Sequence, residues 1–141
     1  VAGKDDEGKD TDALILYTVQ PAEKRTVYRL PGGRNIPLAF SPDGKQLLFN
    51  SYANRALSAL NFSTGKMRTL VAWQNGMQFR LPRFSVDGKA VIALQADGDL
   101  FRINADGSRF IRLTRGFRIE TFTFTPGGEY VVFLGMAKDE E

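Results

Sequence analysis

One short phrase returns three times along the 141-residue chain: Phe40-Ser-Pro-Asp-Gly44, Phe84-Ser-Val-Asp-Gly88 and Phe124-Thr-Pro-Gly-Gly128. A hydrophobic run follows each at once, Lys45-Gln-Leu-Leu-Phe49, Lys89-Ala-Val-Ile-Ala-Leu94 and Glu129-Tyr-Val-Val-Phe-Leu134. The phrase recurs after 44 residues and then after 40. Self-similarity at such a period marks a repeat architecture, in which a single unit cannot bury its own faces and must stack on its neighbours. What this chain can fold into is therefore decided by what each unit leans on.

The residues around each phrase read as strands. Ile36–Phe40 alternates and then breaks at Ser41-Pro42-Asp43-Gly44, where Pro presets φ and Gly tolerates a left-handed exit, the chemistry of a type I turn. Leu47–Phe49, Leu57–Phe62 and Lys66–Val71 follow as second, third and fourth strands, the last two joined by a turn at Ser63-Thr64-Gly65. The second unit repeats the order with Phe79–Phe84, Ala90–Leu94, Leu100–Asn104 and Phe110–Thr114. Its turns, Ala96-Asp-Gly-Asp99 and Ala105-Asp-Gly-Ser108, are strong hairpin signals. Upstream, Ala13–Val19 and Thr26–Leu30 match the third and fourth strands of a unit, with a longer turn over Gln20–Arg25. Downstream, Ile119–Phe124 and Tyr130–Leu134 match the first and second. No stretch carries convincing helical periodicity.

A period of roughly 40–45 residues with four strands per unit is the pattern of β-propeller blades. The expected fold is all-β, built of four-stranded antiparallel β-propeller blades, about three per chain. The expected organisation is an acidic flexible tail over 1–12, a half-blade of third and fourth strands over 13–30, and full blades over 36–71 and 79–114. A half-blade of first and second strands over 119–134 and an acidic tail over 135–141 complete it. Three blades are too few for a ring, which takes four to eight. The two half-blades are complementary, so a second copy pairing strand to strand would complete a six-bladed ring. The alternative is a piece of a longer propeller cut in the second-to-third-strand loops of two blades. The first residue, Val1, leaves room for a leader or upstream segment.

Composition removes several function classes. The chain has no cysteine, hence no disulfide framework and no thiolate metal site. It has no histidine, so neither a Ser-His-Asp nor a Cys-His nucleophilic system can be built from it alone. Most zinc sites also need that residue. No catalytic constellation, metal site or cofactor is expected. No stretch approaches the roughly 18 apolar residues of a membrane span. The net charge of +3 hides a division: residues 1–12 carry −3 and residues 138–141 carry −2, which leaves +8 on the body. Asp97-Gly-Asp99 lacks the further acids of a calcium loop and reads as a turn. Trp73 reads as packing beneath the loop after the fourth strand or as an interface anchor. Arg112, Arg115, Phe117 and Arg118 mix charge with an aromatic, but no stacking-platform motif points to nucleic acid.

Candidate binding residues come from counting back along each first strand, which lines a propeller's channel. The fourth residue before each phrase Phe is Ile36, Arg80 or Glu120, and the sixth is Arg34, Gln78 or Arg118. Arg34, Arg80 and Arg118, with Glu120 among them, would ring one mouth of the channel and draw an anionic ligand or partner. The plainer reading pairs these arginines with carboxylates such as Glu120. Asp5, Asp6, Glu7, Asp139, Glu140 and Glu141 would partly screen that mouth. Phe40, Phe84 and Phe124 are expected as core where each blade meets the next. Pro42, Asp43, Gly44, Asp87, Gly88 and Gly128 are expected as turn-formers.

The phrase Phe40-Ser-Pro-Asp-Gly-Lys-Gln-Leu-Leu-Phe49 resembles the signature of TolB-like, WD-repeat-like propellers. Ala105-Asp-Gly-Ser-Arg-Phe-Ile-Arg-Leu-Thr114 is similar to the same family's third turn and outer strand. The third phrase departs from the pattern with Gly127-Gly128. The resemblance covers nearly all of residues 13–134 and implies a fold more than a function. Propellers of this family occur in TolB, which binds protein partners in the bacterial periplasm, in the gating domains of prolyl-oligopeptidase-type serine peptidases, and in some oligogalacturonate lyases. The implied role is a non-catalytic, soluble scaffold for protein–protein interaction, periplasmic or in the cell envelope. The alternatives are the gating propeller of a serine peptidase and an anionic-ligand-binding propeller. A Gly-x-Ser-x-Gly elbow on an attached hydrolase domain would decide for the peptidase.

Overall fold

The Ser-x-Asp-Gly turns are closed by their own side chains. Ser41 Oγ donates to Asp43 Oδ1 at 2.6 Å, and that carboxylate accepts the Lys45 amide at 3.0 Å. The Ser41 hydroxyl oxygen accepts the Gln46 amide at 3.0 Å. The second copy repeats the set: Ser85 Oγ to Asp87 at 2.6 Å, the Lys89 amide to Asp87 at 2.9 Å, and the Ala90 amide to Ser85 Oγ at 3.0 Å. Gly44 and Gly88 leave these turns at φ of 70° and 71°, where a Cβ is strained. Pro42, Asp43 and Asp87 are exposed on the turns, as turn-formers should be. In the third copy the Tyr130 amide donates to Thr125 Oγ1 at 3.1 Å. The computed structural model describes residues 2–4, 10–125 and 129–139, so Gly128 lies outside the described residues.

Among the described residues every regular element is a strand. An N-terminal sheet holds β1 (Ala2–Lys4), β2 (Asp10–Val19) and β3 (Ala22–Pro31). The first full sheet holds β4 (Asn35–Phe40), β5 (Gln46–Ser51), β6 (Ala56–Asn61) and β7 (Met67–Ala72). The second holds β8 (Phe79–Phe84), β9 (Ala90–Gln95), β10 (Leu100–Asn104) and β11 (Ile111–Arg112). A C-terminal pair, β12 (Phe117–Phe124) and β13 (Val131–Ala137), ends the series. Strands neighbour one another in chain order and run antiparallel.

Several boundaries differ from the sequence reading. At the C-terminal end β13 runs to Ala137, into the segment expected as acidic tail over 135–141, because its ladder with β12 continues through Phe117↔Ala137. The ladder between β2 and β3 runs on through Tyr17↔Lys24 and Thr18↔Glu23 to Val19↔Ala22, so the turn is Gln20-Pro21 rather than Gln20–Arg25. Charged residues there look like a loop, but a ladder is made by backbone groups, and the outer strand of a sheet tolerates polar side chains. Strand also reaches into the segment expected as acidic tail: β2 starts at Asp10, and β1 pairs with it through Ala2↔Asp12 and Lys4↔Asp10. β11 is shorter than Phe110–Thr114. Beyond Arg112 the Thr114 hydroxyl accepts the Leu100 amide at 2.9 Å, replacing a ladder bond.

Alternation along each strand sends successive side chains to opposite faces, and both faces are used. Leu14, Tyr28 and Leu30 of the N-terminal sheet pack on Phe49, Leu60 and Phe62. Leu48, Leu57, Ala59 and Leu70 pack on Phe79, Phe84, Val91, Ala93, Phe101 and Ile103 of the next sheet. Ile92, Leu94 and Leu100 then pack on Ile119 and Phe122. Each fully buried Leu, Ile or Phe in these interfaces contributes about 1.5–3 kcal/mol. Asn50, also buried, ties the two full sheets: its Nδ2 donates to the Phe79 carbonyl at 2.7 Å, and its Oδ1 accepts Trp73 Nε1 at 3.2 Å. Trp73 therefore packs within the fold beside the loop that follows β7.

One expected core residue is not core. Phe84 is 9 % exposed and Phe124 is half-buried, but Phe40 is 53 % exposed. Phe84 shares its cluster with Leu48, and Phe124 packs on the cluster holding Ile92, so in both cases the second strand of the preceding sheet supplies the cover. Among the described residues the N-terminal sheet offers there the three residues of β1. Phe40 keeps a stacked contact with Phe62, ring centroids 5.7 Å apart.

Candidate functional site

Two ends of the sheets are distinguished by how their connections meet. At one end the first and third turns of a sheet are bonded together: the Phe62 amide donates to the Lys45 carbonyl at 2.9 Å, and the Ala105 amide to the Lys89 carbonyl at 2.8 Å. At the other end the second turn of a sheet meets the chain that leaves the fourth strand or that opens the next sheet. There the Trp73 amide donates to the Arg55 carbonyl at 2.8 Å and the Ile119 amide to the Gly98 carbonyl at 3.0 Å. Gly98 sits at φ of 100°, and a Cβ on it would lie 2.8 Å from Arg118 Cα, so this approach needs glycine.

The candidate arginines lie at that second end. Arg34 stands at φ of 65° just before β4, with its guanidinium carbon 4.9 Å from the Tyr52 ring centroid, a cation–π contact. Tyr52 donates its hydroxyl hydrogen to Gln78 Oε1 at 2.9 Å and meets the Trp73 ring edge-on, centroids 5.0 Å apart. Arg34, Tyr52, Trp73 and Gln78 thus form one continuous cluster from the first full sheet to the second. Tyr52 is its centre, and no repeat count singled it out; its signal was only an aromatic placed just after a second strand. Arg80 pairs with Leu94 and Arg118 with Met136, and both are exposed, as is Glu120. Among the described residues none of these three makes an ion pair, and no contact brings them together.

The count from the phrase Phe meets a bulge in every first strand. One residue is in excess near Leu38 in β4, near Leu81 and Pro82 in β8, and at Glu120 in β12. Ile36 and Arg80 stay in the ladder, opposite Asn50 and Leu94, but the residue opposite Leu134 is Thr121. Glu120 is itself the bulge, which re-aims its side chain relative to the other two. Toward the far end of β8, Arg83 lies over the Phe122 ring at 5.7 Å, linking the first strands of adjacent sheets.

A second polar group was read from sequence only as a turn. Asp99 is fully buried; Thr114 Oγ1 donates to its Oδ1 at 2.9 Å, Arg112 donates to its Oδ2, and Lys138 Nζ stands 3.5 Å away. Arg112 also reaches Asp97 at 3.6 Å. Burial pushes the Asp99 carboxyl up, but the bonds from Arg112 and Thr114 and the Lys138 charge outweigh it and hold the carboxyl below the ordinary range. Asp43 and Asp87 are also held low, first by the serine hydroxyls that donate to them and then by backbone amides. Asp99 binds β11 and the end of β13 to the Ala96–Asp99 turn, a locking role rather than a ligand site. Of the acids expected to screen the basic end, Asp139 is described and exposed, while Asp5, Asp6, Glu7, Glu140 and Glu141 lie outside the described residues.

No protein-family model and no curated protein sequence matches the chain. Solved structures do. One from Agrobacterium tumefaciens, provisionally named TolB, superposes with a TM-score of 0.61 at 20% identity, over 99% of this chain and 55% of that one. One from Bacteroides uniformis ATCC 8492, provisionally named a 6-phosphogluconolactonase, gives 0.57 at 16% identity, over 94% of this chain and 46% of that one. The sheets are propeller blades. The chain spans about half the length of either neighbour, and likeness at these identities carries the fold alone. β4, β8 and β12 are the first strands of their blades, and the Arg34–Gln78 cluster sits on the blade face that carries the second-to-third-strand loops.

Proposed function

We propose that this propeller is a non-catalytic scaffold that recognises another protein, in the manner the TolB name suggests and within a bacterial envelope. The observation that carries the reading is the Arg34–Tyr52–Trp73–Gln78 cluster, flanked on the same face by exposed Arg80 and Arg118. Arg, Tyr and Trp are the side chains that dominate protein–protein hot spots, and here they are braced on a rigid blade end. A sequence without histidine or cysteine supports the non-catalytic part, since the common nucleophilic systems need one or both. Among the described residues no helix is long and apolar enough to cross a membrane, and the envelope assignment rests on the TolB name alone.

A second reading draws on the same arginines and on the name of the Bacteroides neighbour: an anionic sugar held at the basic face. One experiment separates them. The chain is immobilised, envelope extract is passed over it, the retained protein is identified by mass spectrometry, and its Kd is measured by calorimetry. Arg80→Glu with Arg118→Glu should weaken that Kd at least ~10-fold while leaving the melting temperature unchanged. A Kd indifferent to the double variant, or turnover of 6-phosphogluconolactone by the parent chain, would replace the scaffold reading.

A further inference from the structure

Five turns of the chain hold an aspartate or asparagine followed by glycine: Asp43-Gly44, Asp87-Gly88, Asp97-Gly98, Asp106-Gly107 and Asn75-Gly76. Such a pair can react with itself, because a glycine without a Cβ lets its backbone nitrogen reach the side-chain carbonyl carbon before it. In the four Asp-Gly turns both reacting groups are occupied. The glycine amides donate to the carbonyls of Ser41, Ser85, Gln95 and Asn104 at 2.8–2.9 Å. Each carboxylate accepts the amide two residues on, from Lys45, Lys89, Asp99 and Ser108, at 2.8–3.1 Å. The hydroxyls of Ser41, Ser85 and Ser108 hold Asp43, Asp87 and Asp106 below the ordinary carboxylate range. These side chains stay as anions, the form that resists a nucleophile.

Asn75-Gly76 is built otherwise. It fills the two central positions of a tight turn between Gln74 and Met77, which pair antiparallel, and the Met77 amide donates to the Gln74 carbonyl at 2.9 Å. φ is 52° at Asn75 and 72° at Gly76, the two positive values of a type I′ turn, for which Asn-Gly is the favoured pair. The base of the turn is anchored: Gln95 Nε2 donates to the same Gln74 carbonyl at 2.9 Å, and Gln74 Nε2 donates to the Ala72 carbonyl at 3.0 Å. The tip is not. Both of its residues are exposed, and among the described residues neither the Gly76 amide nor the Asn75 side chain makes a hydrogen bond. The electrophile there is a neutral amide rather than a carboxylate.

We propose that Asn75 is a self-modification site, at which the folded chain converts asparagine to aspartate and isoaspartate. The Gly76 backbone nitrogen attacks Asn75 Cγ. An N–Cγ bond forms, the Cγ–Nδ2 bond breaks, and the nitrogen's proton leaves with the amide as ammonia. Water then opens the cyclic imide at either carbonyl, giving aspartate or isoaspartate, the latter with an extra methylene in the main chain. Asparagine counts among the thermolabile residue types, and this reaction needs no enzyme, oxidant or cofactor. The product carboxylate arises beside Arg55, whose Nη2 lies 2.9 Å from where a Cβ on Gly76 would stand. A negative charge is thereby added to the blade face that carries the exposed arginines. The chemistry holds whatever that face binds.

The test compares the folded chain with the same chain unfolded in urea, both held in mildly alkaline buffer. Trypsin separates the five pairs onto five peptides, with Asn75 on residues 69–80. Isoaspartate is read by enzymatic methyl transfer and the amide-to-acid mass gain by mass spectrometry. In urea all five peptides should gain isoaspartate, which establishes that each is detectable. In the folded chain peptide 69–80 alone should gain it, together with the mass change. An Asn75 amide that persists in the folded chain while the urea-treated chain loses it would overturn the proposal, as would folded-state isoaspartate on an Asp-Gly peptide. Asn75→Gln serves as the control: on a cation exchanger the parent should develop an earlier-eluting species with time, and the variant should not. An early species forming in the variant at the parent's rate would place the new charge elsewhere and overturn it too.

Discussion

Phe84→Ala and Phe40→Ala change the same position of the repeat in two surroundings, and their difference can be worked from the structure. Phe84 is 9 % exposed in a cluster that also holds Leu48, Phe79 and Val91. Truncating it removes on the order of 150 Å² of buried apolar surface, about 4 kcal/mol by area, and the cavity left in a close-packed interface keeps the cost in the 3–5 kcal/mol range. Phe40 is 53 % exposed and loses chiefly its stack on Phe62, so its truncation costs about 1 kcal/mol. Against a total stability of roughly 5–15 kcal/mol the first change is severe and the second mild. The assay is urea unfolding followed by the fluorescence of Trp73, the one tryptophan, at a dilution where light scattering gives a monomer. Equal costs, or a larger cost at Phe40, would refute the assignment of which blade face is covered.

Three further outcomes follow from the turns. Asp99→Asn removes the charge that Arg112 and Lys138 share and should cost about 2–3 kcal/mol at neutral pH, read as a shift of the urea midpoint. Because Asp99, Asp43 and Asp87 are held below the ordinary carboxylate range when folded, their stabilisation is complete above the unfolded value near 4. It is lost as pH falls through their lower folded values, so the parent should weaken in acid, and Asp99→Asn should show a shallower acid limb in a pH series of thermal melts. Gly98→Ala places a Cβ against Arg118 at a φ that favours glycine and should lower stability by about 2 kcal/mol or more, whereas Gly65→Ala, at φ of 68° in open space, meets the backbone cost alone, and paired melts compare them.

What was legible in the sequence was what the chain settles locally. The Ser41–Gly44 and Ser85–Gly88 turns carry their donors and acceptors within five residues, so their chemistry could be read directly, and with them the period, the strand order and the all-β class. Strands with mixed or charged sequence were harder. Glu23, Lys24 and Arg25 extend an outer strand because the ladder is a backbone device, and β1 lies in a segment whose composition suggests only a solvated tail. Phe40 was unreadable because its burial depends on a neighbouring blade and not on its own phrase. The candidate site was half legible. Arg34 and Gln78 do share one cluster, but Tyr52, which joins them, carries no repeat signature. Glu120 fell out of line because the bulge of its strand sits two residues from where β4 places its own.

The affinity of a retained envelope protein for the parent chain and for the Arg80→Glu, Arg118→Glu double variant, measured by calorimetry, tests the central claim most directly. The predicted result is a Kd weakened at least ~10-fold by the double variant, with the melting temperature unchanged. A Kd that the double variant leaves unchanged, or turnover of 6-phosphogluconolactone by the parent chain, would contradict it.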